Sequence, residues 1–367
     1  KLMIEHGRLE RLVYQAVSYV IYPIAIRLTY IGSSSLVSMS MHDALKSGRA
    51  KLMIEHGAQR EILRLSDSEC IDTMFIDRRR NYAAAANKGA KLLICCEGNA
   101  GYYELGCFSA ALRTEYSLLG WNHPGFAESK AHISLPNEQC AAQAVISYAI
   151  DILQFREEDI FVYGWSIGGY SAALIAANNP QISALVMDAV FDNPIPLAKR
   201  TIPPLAPFIE YTMASYINLD NCALLRKYVG PIRFIRRLGD EIITVNPGKV
   251  SGNLINNLVI DTLTFRYPEI FIEDAIATVQ FYLSLDSPVK KDDYYREIAP
   301  QLTRTLKPLK DYLRVHNGFP CLYGSNENME SKKAIALSLC NEYLIDFNSG
   351  HCDSLHVLLF ERPETIF

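Results

Sequence analysis

Short apolar runs alternate with helix-like runs along the chain from about residue 59. Runs that are apolar throughout are typical of strands buried on both faces of a parallel sheet, and apolar residues at three- and four-residue spacing indicate helices. The alternation predicts a doubly wound α/β fold with a mostly parallel sheet, in which ligands bind at the carboxyl ends of the strands. The predicted strands are residues 60–65, 71–77, 92–96, 116–121, 160–163, 182–187, 230–236 and 343–347.

Two insertions interrupt this alternation. Residues 193–228 are rich in proline and apolar side chains. They are predicted to form a helical cap over the site, with a plain surface insertion as the alternative. Residues 267–323 form a second, mostly helical excursion before the last strand. An earlier helix is predicted over residues 141–153, with Asn137 as its N-cap because it follows Pro136.

The N-terminal part of the chain contains a nearly uncharged apolar stretch, residues 12–26, which Pro23 interrupts. The stretch is shorter than the about twenty residues that a bilayer span needs. It therefore predicts an interfacial or re-entrant membrane segment, or alternatively a helix packed on the domain. Residues 33–40 are predicted to be a linker. The expected domains are a membrane-associated or linker segment, 1–57, and an α/β domain, 58–367.

Composition narrows the possible functions. With 367 residues, of which 49% are hydrophobic, the chain can bury one large core. A net charge of -4, with both signs scattered along the chain, argues against a nucleic-acid partner. The nine cysteines include no Cys-x-x-Cys pair and are predicted to be reduced thiols. No phosphate loop, dinucleotide fingerprint or metal-ligand cluster is recognisable, so neither a cofactor nor a metal is implied.

Ser166 lies at the centre of the sequence Gly164-Trp165-Ser166-Ile167-Gly168, between a strand-like run and a helix-like run. A strand, a tight turn and a helix around Gly-x-Ser-x-Gly are typical of a nucleophile elbow. A serine hydroxyl is a poor nucleophile until a base takes its proton, so the turn must expose it to a histidine. Ser166 is therefore predicted to be a catalytic nucleophile, with a structural glycine turn as the alternative.

An acid and then a histidine must follow such a serine in the chain. Asp240 lies in a polar turn at the end of a predicted strand, where a carboxylate can orient and stabilise an imidazole. His351 leaves the last predicted strand at the same sheet edge and is the predicted general base. The rival acids are Asp188, Asp192 and Glu241. His316 and His356 are assigned instead to the surface, and His123 to a structural turn, with a position at the border of the pocket as its alternative.

The oxyanion of a tetrahedral intermediate needs backbone N–H donors. Ile167, which follows the nucleophile, supplies one donor. The glycine-rich loop 97–101 is expected to supply the second. By position this donor is Asn99, with Ala100 as the alternative, and a plain glycine-rich turn is the other interpretation of the loop.

Several longer strings resemble one family. They are EGNAGYYE at 97–104, GWNHPGF at 120–126, GWSIGG at 164–169 and DEIIT at 240–244, joined by DTMFID at 72–77. Over about residues 71–351 the chain resembles the membrane phosphatidylserine lipase branch of the abhydrolase-domain proteins. This resemblance implies an α/β-hydrolase fold and a membrane-bound enzyme of the endoplasmic reticulum. Such an enzyme hydrolyses phosphatidylserine to lysophosphatidylserine and a fatty acid, and similar enzymes act on monoacylglycerol.

By motif position, the family's nucleophile, acid and base fall on Ser166, Asp240 and His351. The resulting hypothesis is a serine lipase of the membrane surface, whose cap houses the acyl chain. Trp165, Tyr102 and Arg237 are assigned to substrate binding. The cations expected near an anionic headgroup are Lys199, Arg200, Arg226, Lys227 and Arg237. The alternatives are a protein acyl-thioesterase and a non-catalytic membrane-associated binding protein.

Overall fold

A computed structural model describes residues 8–79, 85–201, 203–298, 302–316 and 318–363. Within these ranges one sheet has the strand order β1-β2-β4-β3-β5-β6-β7-β8. Strand β2 is antiparallel to β1 and β4, and the remaining neighbours are parallel. The strands are β1 (Gln59–Arg64), β2 (Cys70–Ile76), β3 (Leu92–Cys96), β4 (Ser117–Trp121), β5 (Ile160–Trp165), β6 (Ala184–Asp188), β7 (Ile232–Arg237) and β8 (Leu344–Phe347).

All the predicted strands are confirmed, with boundaries within about two residues of those expected from the apolar runs. The helices are α1 (Arg8–Thr29), α2 (Ser35–His56), α3 (Cys107–Ala111), α4 (Leu135–Ser147), α5 (Gly168–Asn178), α6 (Ile195–Thr201), α7 (Ala206–Tyr216), α8 (Asn221–Leu225), α9 (Ile255–Arg266), α10 (Glu273–Ser284), α11 (Pro288–Ile298), α12 (Leu302–Val315) and α13 (Met329–Tyr343). The predicted doubly wound α/β fold with helical insertions is therefore confirmed.

The central strands β3, β4 and β6 are buried along their whole length. Separate apolar clusters cover the two faces of the sheet, one built mainly with α4, α5, α9, α10 and α13, and the other with α3. A strand packed on both faces has no solvent side, which is why these segments are apolar throughout rather than alternating.

Helix α4 begins earlier than the sequence suggests. Ser134 is its N-cap, and the Ser134 side chain accepts a hydrogen bond from the backbone N–H of Asn137. The prediction of Asn137 as N-cap is therefore wrong. Pro136 occupies the first turn of the helix, where its missing N–H costs nothing. The Asn137 side chain instead donates to the Glu69 carboxylate.

The predicted insertion between β6 and β7 is helical, as expected, and consists of α6, α7 and α8. Helix α1 packs along α7. The ring of Tyr14 lies 4.9 Å from that of Phe208 and 5.3 Å from that of Tyr211, and Thr212 donates a 2.9 Å hydrogen bond to Ser18. The N-terminal helix therefore forms a layer on the cap.

Helix α1 is longer than the apolar stretch 12–26, and Pro23 lies inside it. Within the described residues it is the one helix long and apolar enough to cross a membrane. The prediction of a linker over 33–40 is wrong because α2 begins at Ser35. Serine favours caps and turns, but burial of Leu45 and Leu52 of α2 outweighs this weak local preference.

Arg236 of β7 is fully buried and joins three elements. Its guanidinium donates to both carboxylate oxygens of Asp346 in β8, at 2.7 and 3.0 Å, and also to the Asn256 side chain and the Leu283 carbonyl. Lys291 forms a second ion pair with Asp346. Burial raises the pKa of Asp346, but the two cations more than offset this, so its pKa lies below the usual value.

Replacing this carboxylate gives a pH-dependent test. A depressed carboxyl pKa contributes stability that is present above the unfolded-state pKa of about 4 and is lost as pH falls through the folded-state pKa. We expect Asp346→Asn to lower the free energy of unfolding by roughly 3 kcal/mol at pH 7. The difference from wild type should shrink below about pH 4.

Denaturant unfolding between pH 7 and pH 3 measures this difference. Asp311→Asn is the matched control, because its pair with Arg314 lies at the surface and should contribute less than about 1 kcal/mol. A difference between wild type and Asp346→Asn that stays constant down to pH 3 would contradict the assignment.

Candidate active site

Ser166 lies on a sharp turn between β5 and α5, and its φ of 56° is unusual for a residue with a side chain. Its backbone N–H donates to the Asp188 carbonyl of β6 at 2.9 Å. A Cβ on Gly168 would lie 2.3 Å from the carbonyl oxygens of Cys96 and Glu97. The turn therefore has the geometry of a nucleophile elbow and requires glycine beside it.

His351 connects Ser166 to Asp240. Its Nε2 lies 3.0 Å from the Ser166 Oγ, and its Nδ1 lies 2.9 Å from one carboxylate oxygen of Asp240. The other carboxylate oxygen accepts hydrogen bonds from the backbone N–H groups of Ile242 and Ile243. The structure thus brings together the three residues predicted as nucleophile, base and acid.

The acid and the base lie on two adjoining loops. Asp240 follows β7, and His351 follows β8. The Gly239 N–H donates to the Ser349 carbonyl at 2.9 Å, which ties one loop to the other. Glu241, a rival acid, accepts from the backbone N–H of His351 at 3.2 Å rather than from its ring. Its carboxylate therefore fixes the loop that carries the imidazole.

Trp165, predicted to bind substrate, holds the other side of the same loop. Its indole N–H donates to the His351 carbonyl at 3.2 Å, and its ring centroid lies 5.6 Å from that of the imidazole. Trp165 also lines a cavity of about 390 Å³ between α3 and the loop that follows β8, together with Tyr163 and Cys352. The indole is thus both a support for His351 and a wall of this cavity.

The two predicted oxyanion donors, the backbone N–H groups of Asn99 and Ile167, lie on loop 97–101 and on the elbow, which contact each other. A Cβ on Gly98 would lie 2.7 Å from the Trp165 ring, so only glycine lets loop 97–101 approach the elbow this closely. No described residue accepts a hydrogen bond from the backbone N–H of Asn99 or of Ile167. Ala100, the alternative donor, has a positive φ of 59°.

Tyr102 and Arg237, the other predicted substrate-binding residues, are occupied within the fold. Tyr102 is 1% exposed, and its hydroxyl donates to the Gly32 carbonyl at 3.0 Å. Arg237 donates to both carboxylate oxygens of Asp188, at 3.0 and 2.7 Å. Its remaining nitrogen donates to the carbonyls of Gly350 and Asp353.

Each nitrogen of Arg237 already has a partner in the protein, which weakens the case for Arg237 as a headgroup ligand. Burial lowers the pKa of Arg237, but the pairing with Asp188 more than offsets this and raises it above its usual value. This pairing also excludes Asp188 as the catalytic acid. The guanidinium stabilises the loop after β8 through its bonds to the Gly350 and Asp353 carbonyls.

Three of the cations predicted at the cap, Lys199, Arg200 and Arg226, also have partners in the protein. Lys199 pairs with Glu210 at 2.5 Å, and Arg226 pairs with Asp261. Arg200 donates to the Thr244 carbonyl. These charges are at least partly neutralised or fixed by their neighbours, which weakens the case for them as headgroup ligands.

Sequence reasoning missed a buried support beneath the oxyanion loop. His123 contacts the Glu138 carboxylate through Nδ1 and the Glu97 carbonyl through Nε2, both at 2.8 Å. Burial lowers the pKa of His123, but Glu138 more than offsets this and raises it. Since a carbonyl only accepts, Nε2 carries a proton and holds the first residue of the loop. The only signal of this role in the sequence is the position of Glu138 in the first turn of α4.

Comparisons with known proteins found a matching family model and several similar chains. A family model described as the alpha/beta hydrolase fold matches residues 91–222. Human phosphatidylserine lipase ABHD16A is 36% identical over 361 residues, which is 97% of this chain and 64% of that protein. The bovine protein of the same name is 37% identical, again over 97% and 64%. An uncharacterised protein of Caenorhabditis elegans is 33% identical over 94% of this chain and 66% of its own length.

The chain has the α/β-hydrolase fold, as its strand order, its elbow and the family match over residues 91–222 agree. It is similar to phosphatidylserine lipase ABHD16A, which confirms the resemblance found in its motifs. The chain spans 64% of the length of these curated relatives.

The two interpretations of Arg237, as the ion-pair partner of Asp188 and as a headgroup ligand, predict different results for its variants. We expect Arg237→Met to lower the free energy of unfolding by roughly 3–5 kcal/mol, because the Asp188 carboxylate is left buried without its cation. The double variant Asp188→Asn/Arg237→Met should recover part of the loss. Denaturant unfolding and relative turnover of lipids with different headgroups test this. Normal stability combined with altered headgroup preference would restore the substrate-binding role.

Proposed function

We propose that the protein is a serine lipase that hydrolyses an acyl ester of a glycerophospholipid. The observation that carries the proposal is the continuous hydrogen-bond chain from the Ser166 hydroxyl through His351 to Asp240. Such a series of hydrogen bonds lets the histidine take the serine proton as the hydroxyl attacks. A serine hydroxyl needs this help because it is a poor nucleophile while it keeps its proton.

In the first half-reaction the Ser166 oxygen attacks the ester carbonyl while the His351 Nε2 takes the hydroxyl proton. Asp240 stabilises the imidazolium through Nδ1–H. The negative charge on the former carbonyl oxygen is held by the backbone N–H groups of Ile167 and Asn99. Collapse of the intermediate breaks the ester bond, and the imidazolium gives its proton to the departing lysolipid oxygen.

In the second half-reaction water attacks the acyl-enzyme. The His351 Nε2 takes a proton from this water, and the same N–H donors hold the second oxyanion. Collapse releases the fatty acid, and the imidazolium returns its proton to the Ser166 oxygen. The enzyme is restored without a cofactor or an external oxidant or reductant.

Phosphatidylserine is the proposed substrate, with lysophosphatidylserine and a fatty acid as products, and monoacylglycerol is the proposed second substrate class. The support is the similarity to human and bovine phosphatidylserine lipase ABHD16A, at 36% and 37% identity across 97% of this chain. It is also the set of motifs around the elbow, the oxyanion loop and Asp240.

The N-terminal apolar helix suggests association with a membrane. Its outward face carries exposed apolar side chains, among them Leu12, Tyr19, Val20 and Ile24. We propose that residues 1–57 form a segment that attaches the hydrolase domain, 58–367, to a lipid surface, specifically that of the endoplasmic reticulum. Since α1 packs on α7 of the cap, this face would bring the lipid layer close to the cap.

The proposed acyl-binding region is the cap, residues 193–228. Its apolar residues Ile209 and Met213 belong to the same buried cluster as Ile167, the residue next to the nucleophile. This continuity places apolar side chains of the cap beside the elbow, which supports the cap as the acyl-binding region. Apolar chains gain roughly 0.8 kcal/mol for each buried methylene, so such a region favours long acyl groups.

A variant pair tests the proposal. We expect a fluorophosphonate probe to label wild type and not Ser166→Ala, because the probe needs an activated serine oxygen. Turnover of phosphatidylserine in mixed vesicles should fall at least about 10³-fold in Ser166→Ala. Ser147→Ala, which changes a serine at the end of α4, serves as the control and should behave as wild type.

The vesicle panel should include phosphatidylcholine and monoacylglycerol, and a palmitoylated cysteine peptide should be assayed in parallel. Preferred turnover of the thioester would replace the lipase proposal with an acyl-thioesterase. A folded wild-type protein that takes no label, or equal turnover in wild type and Ser166→Ala, would refute the mechanism.

A further inference from the structure

The side chain of Asn99 connects the oxyanion loop, residues 97–101, to the end of α1. Its amide nitrogen donates to the Leu28 carbonyl at 3.3 Å, and its amide oxygen accepts from the backbone N–H of Ile31 at 2.6 Å. Both partners are backbone groups of the helix junction, which we define as residues 28–33. One side chain thus bridges two points that lie about 70 residues earlier in the chain.

Further contacts hold the helix junction against the domain. The Tyr102 hydroxyl donates to the Gly32 carbonyl. A Cβ on Gly32 would lie 2.3 Å from the Phe126 ring, so the junction approaches the domain as closely as backbone allows. Tyr30 is fully buried, with its ring 5.7 Å from that of His123. The junction is therefore a fixed point to which a loop can be attached.

The oxyanion loop needs such an attachment. It contains two glycines, and glycine allows many backbone conformations. The positive φ of Ala100 adds strain that must be held by surrounding contacts. From below, His123 and two backbone N–H groups of α3 hold Glu97, the first residue of the loop. A donor that stabilises an oxyanion is effective only when it is already oriented before the charge develops.

We propose that the Asn99 side chain is a positioning residue that ties the oxyanion loop to the helix junction. Docking of the N-terminal helices thereby sets the direction of the Asn99 backbone N–H. This inference rests on the proposed hydrolytic function. It makes the N-terminal helices part of the active site, whereas a segment that only attached the protein to a membrane would leave catalysis in solution unchanged.

Two variants cut the connection from opposite ends. Asn99→Ala removes the bridging amide but keeps the backbone N–H of residue 99. Ile31→Pro removes the backbone N–H that donates a hydrogen bond to the Asn99 amide oxygen, and it leaves the sequence of the oxyanion loop intact. The Ile31 side chain is 40% exposed, and proline is tolerated at the first position of a helical turn.

We expect both variants to lower kcat for a soluble p-nitrophenyl ester about 10- to 100-fold, with KM changed less than about threefold. The upper bound is the loss of a complete oxyanion donor, which costs about 10²- to 10³-fold. The matched control is Ser18→Ala, which removes the hydrogen bond between α1 and α7 without touching the junction. Its kcat should stay within about twofold of wild type, although it also loses one buried hydrogen bond.

Inhibition by a trifluoromethyl ketone gives a measurement that a general loss of stability would not change. Addition of Ser166 to the ketone forms a tetrahedral anion, whose oxygen occupies the oxyanion position. Its Ki should rise in Asn99→Ala and Ile31→Pro by the same factor as kcat/KM falls, because both measure stabilisation of this anion. Thermal unfolding of all variants provides the comparison of stability.

The outcomes separate this inference from the function on which it rests. If folded wild type hydrolyses no ester, the proposed function fails. If wild type is active while Asn99→Ala and Ile31→Pro keep its kcat and Ki, the connection plays no part in catalysis. A loss in Ser18→Ala as large as that in Ile31→Pro would likewise overturn the proposal, because helix docking in general would then be responsible.

Discussion

Two consecutive arginines of β7 hold together the part of the sheet on which the site depends. Neighbouring side chains of a strand point to opposite faces, so Arg236 and Arg237 act in different layers. Arg236 binds Asp346 of β8, and Arg237 binds Asp188 of β6. The Asp188 carbonyl also accepts the N–H of Ser166. The strands that deliver the nucleophile, the acid and the base are thereby fixed to one another by buried ion pairs.

This arrangement explains which parts of the molecule the sequence could predict. The central strands β3, β4 and β6 were predictable because burial on both faces leaves a local, uninterrupted apolar run. Ser166, Asp240 and His351 were predictable as neighbours because each follows a parallel strand, and parallel strands bring their carboxyl ends to one edge. The chain order of the three residues supplied the remaining information.

Arg237 and residues 33–40 show where such reasoning ends. A basic residue beside a predicted site suggests an anionic ligand, but its partner Asp188 lies 49 residues earlier and cannot be recognised without the fold. The serines of 33–40 resemble a linker until the burial of α2 is known. Both cases depend on contacts distant in sequence, about which local composition carries no information.

The oxyanion loop is held from two sides that differ in chemistry. Beneath it, the buried His123–Glu138 pair binds a carbonyl and is shielded from water. Above it, the Asn99 amide binds backbone groups at a partly exposed junction, where water competes for the same hydrogen bonds. The lower contact belongs to the rigid core, whereas the upper contact depends on what covers the N-terminal helices.

The apolar outer face of α1 also bears on which substrate concentration controls the rate of this protein. A row of side chains from Leu9 to Leu28 is exposed along one helix, and soluble monomers rarely leave such a surface uncovered. With this face in a lipid layer, the rate at which the active site meets substrate would depend on the number of substrate molecules per unit area of that layer. Dilution of the lipid within its surface would then slow turnover even at constant bulk concentration.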